Sequence, residues 1–272
     1  LARLQLTAIL HAMNDTAPEP DAIPAATLVI FRLGRTEGAP PELLMVTRSR
    51  ELVFAGGAAV WPGGRIDPAD HDLAAATATD LDKEDVAARI AAIRETLEET
   101  GLAIGIRGTV DGAAAMDARA MLLETLSLAP VLERFRWKLD LDALVPFARW
   151  FPRGMAHKRL FDTRFYLADL GTGSVDITVD RTENTHLFWT SAQTALEMAE
   201  RGEISVIFPT ARNLERLAQF PDFHAAKRQA EAIEVRTIVP KIVEREGTRW
   251  LTIPEDAGYP VTRQALERIE RG

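Results

Sequence analysis

The stretch Arg94-Glu95-Thr96-Leu97-Glu98-Glu99-Thr100-Gly101-Leu102 decides how this chain is read. Leading into it, Val86, Ile90, Ile93 and Leu97 recur at intervals of four, three and four, the apolar stripe of an amphipathic helix, and predict a helix over Lys83–Thr100. Gly101 follows where a left-handed residue commonly ends a helix. On that helix Glu95, Glu98 and Glu99 stand at i, i+3 and i+4, so three carboxylates share one turn. Arg94, four positions before Glu98, offsets one charge. The remaining negative charge and the all-oxygen donor set suit a divalent cation, Mg²⁺ or Mn²⁺. A solvated acidic face is the ordinary meaning of a Glu-rich helix. Here the context shifts the balance: a glycine turn, Trp61-Pro62-Gly63-Gly64, follows a strand pattern upstream and can bring backbone carbonyls to the same ion.

Composition narrows the classes further. The chain has 272 residues, 47% of them hydrophobic and 26% charged, which is enough apolar material for a sizeable core. It has no cysteine, so disulfides, thiolate nucleophiles and Cys-ligated metal are excluded; with five histidines, any metal is expected to be held by oxygen. No apolar run approaches the length of a membrane-spanning helix. The net charge of −8 argues against nucleic acid as the main partner, since phosphate-backbone contacts need clustered Lys and Arg. A soluble, cytoplasmic protein acting on a small molecule is the expectation.

Along the chain, residues 1–22 read as a short N-terminal helix and a proline-rich linker, without a signal peptide. The helix is expected to fold back on its own domain or to pack on a second subunit as a homodimer. Thr27–Phe31 and Leu43–Thr47 read as paired strands. Asp67–Asp82 shows no clear period and reads as a surface insertion. A strand near Leu102–Ile106 precedes a helical pattern over Ala113–Leu139. Leu144–Phe151 and Leu160–Leu167 read as strands around a basic loop, Leu187–Trp189 as another, Ala192–Arg201 and Thr210–Phe220 as helices, and Val235–Val243 with Arg249–Ile253 as a terminal strand pair.

The quoted stretch resembles the second half of the Nudix hydrolase box, G-x5-E-x7-R-E-U-x-E-E-x-G-U with U a bulky aliphatic; Thr96 stands at the first U, and Trp61-Pro62-Gly63-Gly64 is similar to the entry of the box. The resemblance implies an α/β (α+β) fold, the α/β/α sandwich with a mixed central sheet. It implies one Nudix domain over residues 23–272, with a box insertion at about 65–82, a helical insertion at about 112–142 and a C-terminal extension from about 221. Arg94 lies 30 positions after Gly64 where the box has 14, so 16 residues are inserted. Counted back from Arg94, the position of the first box glutamate is Val86, and Glu84 and Asp85 are the nearby acids. An insertion at this place is similar to the branch that includes coenzyme A and acyl-coenzyme A diphosphatases. Pro24-Ala25-Ala26-Thr27, Arg48-Ser49, the run from Arg159 to Tyr166, and Glu183 before Trp189 follow the order of that branch.

By this likeness Glu95, Glu98, Glu99 and a backbone carbonyl of Gly63 or Gly64 would hold the metal, and Arg94 would orient the glutamates. The implied reaction is hydrolysis of a diphosphate linkage in a nucleoside diphosphate joined to another moiety, coenzyme A or an acyl derivative first, with ADP-ribose, NADH or a dinucleotide as the alternative substrates. Glu98 or Glu99 could take the proton from the attacking water, and Glu183 is the further candidate base. Arg48, Arg50, Arg153, Lys158 and Arg159 could clamp substrate phosphates, or stand as ordinary surface charge. A silent Nudix binding module is the rival reading; the retained triplet of glutamates counts against it, and Val86 counts for it.

Overall fold

A computed structural model describes residues 22–48, 57–153, 159–170 and 184–266. The segment expected to form an N-terminal helix, Arg50, Lys158 and Glu183 lie outside these residues. The centre is an eight-stranded mixed sheet. Strand β1 (Ala22–Arg32) pairs in parallel with β8 (Leu160–Asp169) on one side. On its other side it pairs antiparallel with β2 (Glu42–Arg48) and with β4 (Gly63–Arg65). Strands β3 (Ala59–Val60) and β9 (Asn184–Ser191) join β2, β7 (Val145–Trp150) joins β8, and β10 (Thr237–Ile238) closes the far edge beside β7.

The unbroken apolar run of β1 follows from burial on both faces. Ala26, Leu28 and Ile30 face one layer, with Leu44, Val46 and Tyr166, where they meet Val86, Ile90, Ile93 and Leu97 of helix α2 (Lys83–Thr100). Val29 and Phe31 face the other layer, with Met45, Phe165 and Leu167. There they meet α5 (Ala192–Glu200), α6 (Phe208–Leu217) and α7 (Phe223–Glu231) through Ala195, Leu214, Leu217 and Ala226. This is the expected helix–sheet–helix sandwich. Among the described residues no helix is long and apolar enough to cross a membrane.

Four expectations are corrected. Residues 67–82, read as a surface insertion with no clear period, carry regular structure: Pro68–Ala76 forms helix α1, started by Pro68 at N1 and a capping box between Asp67 and Asp70, and Asp70 is buried. The helical pattern of Ala113–Leu139 is two helices, α3 (Gly112–Thr125) and α4 (Leu128–Phe135), broken at Leu126, which takes the left-handed conformation. Its end, Lys138–Leu139 (β6), is a strand that pairs with β5 (Ile106–Arg107), which lies later than the strand expected near Leu102–Ile106. Val235–Val243 is likewise divided. Thr237–Ile238 adds to the central sheet, while Lys241–Arg245 (β11) forms a hairpin with Thr248–Thr252 (β12), and Arg263–Ala265 (β13) adds a third strand to it.

Candidate active site

Helix α2 begins with the Asp82 side chain accepting a hydrogen bond from the Asp85 N–H and ends at Gly101, whose φ of 77° is left-handed as expected. Its last turns lie against β4. Both glycines of that strand stand at close approaches, one to backbone and one to a side chain. A Cβ on Gly63 would overlap the backbone of Ala26 and Thr27, and one on Gly64 would overlap the carboxylate of Glu95. The N–H of Gly63 donates to Glu99 Oε2 at 3.2 Å. The glycine turn and the glutamate turn are therefore in direct contact.

Arg94 is buried and ties this contact together. Its Nη1 donates to Glu95 Oε1 at 2.9 Å and lies 3.5 Å from Glu98 Oε2, and its Nη2 donates to the Arg65 carbonyl at 2.9 Å. The remaining donors meet Asp70: Nε to Oδ1 at 3.0 Å and Nη2 to Oδ2 at 3.0 Å. Burial by itself would push the guanidinium down; the hydrogen bond to Asp70 and the charges of Glu95, Asp70 and Asp67 outweigh it and hold Arg94 above its ordinary value. Asp70 also accepts the Asp67 N–H at 2.9 Å, so this buried carboxylate is fully engaged.

Asp70 is the residue that sequence reasoning missed. Counting back from Arg94 leads to Val86, which is wholly buried in the core. Neither acid beside Val86 reaches the glutamates: Asp85 accepts from Tyr166 Oη at 2.6 Å and from Arg89 Nε at 2.7 Å, and Glu84 is exposed with its Oε1 3.7 Å from His71 Nδ1. Counting forward from Gly64 gives the missing acid, because Asp70 stands six positions on, where the box has its first glutamate. The insertion therefore falls after that acid, and α1 folds back to return it to Arg94.

The donors present are hard carboxylate and carbonyl oxygens on one helical turn and one glycine strand, which fits a divalent cation of the Mg²⁺ type. Among the described residues no three acids or histidines already surround a single point: Glu95 and Glu98 are turned to Arg94, and Glu99 to Gly63. Of the five basic candidates, Arg153 and Arg159 are exposed at the ends of the loop between β7 and β8, Arg48 ends β2, and Arg50 and Lys158 lie outside the described residues. No common cluster of these arginines is described.

The chain has the fold of a Nudix hydrolase, and the proteins it is similar to include a Nudix hydrolase and an acyl-coenzyme A diphosphatase. It is 27% identical to a Nudix hydrolase of Alicyclobacillus acidocaldarius, whose crystal structure superposes with a TM-score of 0.68 over 78% of this chain and 97% of that one. It is 28% identical over 277 residues to the acyl-coenzyme A diphosphatase NUDT19 of Gallus gallus, a match covering 80% of this chain and 73% of that protein. A MutT protein of Methanosarcina mazei Go1 is 16% identical, with a TM-score of 0.40 over 75% of this chain and 97% of the other. No family model matches the chain.

Proposed function

We propose that this protein is a divalent-metal-dependent diphosphatase whose substrate is coenzyme A or an acyl-coenzyme A, acting in the cytoplasm. The observation that carries the reading is the packing of the Glu95 carboxylate on the Gly64 backbone, with Glu99 on the Gly63 N–H and Arg94 locked by Asp70. The diphosphatase relative at 28% identity supports the choice of substrate. Glu95, Glu98, Glu99 and a carbonyl of the glycine strand would hold the metal. Bound there, the cation would neutralise diphosphate oxygens and acidify the attacking water.

The protein's own part is placement and proton transfer. Arg94 is pinned on one side by Asp70, so its other edge presents a fixed positive charge to Glu95 and Glu98 and keeps three like charges on one turn. Glu98, the more exposed of the two candidate bases, accepts the proton of the attacking water; Glu99 is the second candidate, and Glu183 lies outside the described residues. A P–O bond to water forms, the bridging P–O bond breaks, and two phosphomonoesters leave. Incubation with Mg²⁺ and coenzyme A, acetyl-coenzyme A, ADP-ribose or NADH, with product analysis, tests the substrate. Preferred cleavage of ADP-ribose or NADH would replace the coenzyme A assignment and leave the diphosphatase reading intact.

A further inference from the structure

We propose that Arg164 is a substrate-phosphate ligand on the sheet beside the glutamate turn, a position that the basic-loop candidates do not include. The inference rests on the diphosphatase reading and adds one specificity-determining residue to it. Its starting point is the register. Gly64 of β4 pairs with Ala26 of β1, Ala26 with Arg164 of β8, and Arg164 with Arg149 of β7, so the four residues form one row across four strands. Side chains in one row share a face of the sheet, and residues two apart on a strand share it too. Tyr166 and Ala26 belong to the core layer under α2, and Asp85 of α2 is bonded to Tyr166, so Arg164 lies on the face that carries the glutamates. Two strand spacings separate it from Gly64, roughly 10 Å at about 4.8 Å each, with only the methyl group of Ala26 between them.

Charge makes the position unusual. Arg149 and Arg164 are cross-strand neighbours of like sign, an arrangement that destabilises a sheet unless it is compensated. Asp162 compensates one of them, accepting from Arg149 Nε at 2.8 Å and Nη2 at 2.6 Å. Arg164 has no hydrogen-bond or ion-pair partner among the described residues and is half-buried rather than extended into solvent. A half-buried guanidinium in register with the glycine strand, beside a neighbour whose charge is already matched, is an anion site with a planar donor fork suited to phosphate. The phosphate chain of a nucleoside diphosphate, held at one end by the glutamate turn, extends along this row to Arg164.

The test compares wild type, Arg164→Gln and Arg164→Lys in two measurements. In steady-state hydrolysis of the substrate found above, Arg164→Gln is expected to raise KM about 10-fold with kcat changed less than about 3-fold, and Arg164→Lys to recover part of the loss. In calorimetric binding of α,β-methylene-ADP with Mg²⁺, Arg164→Gln is expected to weaken binding by a similar factor while the melting temperature stays within a few degrees. Unchanged KM and unchanged analogue binding in Arg164→Gln overturn the assignment. If the wild-type protein hydrolyses no diphosphate, the functional reading fails by itself, and the analogue measurement still decides whether Arg164 binds phosphate. A variant that melts early and binds the analogue as tightly as wild type would make Arg164 structural.

Discussion

Asp70 and Arg94 form a buried ion pair with two parallel hydrogen bonds, each at 3.0 Å, between helix α1 and the glutamate helix. Arg94 cannot both sit in the interior and restrain Glu95 and Glu98 unless its other edge is neutralised, and Asp70 does this. Removing one partner of such a pair leaves an unmatched buried charge, at a cost of about 3–5 kcal/mol. Asp70→Asn is therefore expected to lower stability in urea by about 3 kcal/mol and to lower kcat at least 10-fold. An Asp70→Asn variant with wild-type stability would contradict the assigned role.

The two glycines of β4 separate fold from function. At Gly63 an added methyl group meets backbone atoms of β1, which cannot move without disturbing the sheet; at Gly64 it meets the end of a side chain, which can. Gly63→Ala should yield little folded protein, whereas Gly64→Ala should remain folded and lose activity by 10-fold or more because Glu95 is displaced. Circular dichroism melts beside the hydrolysis assay distinguish the two outcomes, and equal effects on stability would count against the contact between Gly64 and Glu95.

Thr96 occupies the box position where an aliphatic side chain is expected, and its buried hydroxyl has no hydrogen-bond partner among the described residues. Such a group costs about 1–3 kcal/mol to bury. Thr96→Val keeps the shape and removes the orphaned oxygen, so it should stabilise the protein by about 1 kcal/mol with activity retained. A loss of stability on denaturant titration would mean that the hydroxyl is satisfied in solution.

Both tyrosines of the chain are buried. Burial pushes the Tyr259 phenol up to about 12, although Arg216 and the hydrogen bond from Trp150 pull the other way. Burial and then Asp85 push Tyr166 up as well. A phenol raised in the folded state contributes stability that is complete below the unfolded value near 10 and is lost as pH rises through the folded value. Stability should fall between about pH 10 and pH 12, with phenolate absorbance appearing only as the fold opens, and Tyr259→Phe should flatten the decline. Phenolate absorbance at pH 10 in folded protein would refute this.

The glutamate helix and its glycine end were legible because each depends on local chemistry: a 3.6-residue stripe and a left-handed terminus. The acid opposite Arg94 was harder to find. Arg94 and Asp70 lie 24 positions apart, and an alanine-rich segment with little amphipathic pattern conceals that Pro68–Ala76 is a helix. Only spacing counted from the glycine side identifies Asp70. Arg164 was present within the quoted run from Arg159 to Tyr166, but its place in one row with Gly64 arises from the parallel pairing of β1 and β8, which single-strand patterning does not encode. The breaks at Leu126 and before Lys241 were missed because continuous apolar patterns run through them.

The most direct test of the account is mass-spectrometric identification of the products formed from coenzyme A and Mg²⁺ by wild type and by Glu98→Gln, with melting curves for both. The account predicts adenosine 3′,5′-bisphosphate and 4′-phosphopantetheine from wild type, and at least a 100-fold loss of turnover in a Glu98→Gln variant that melts as wild type does. Near-normal turnover by Glu98→Gln, or cleavage at any bond other than the diphosphate, would contradict it.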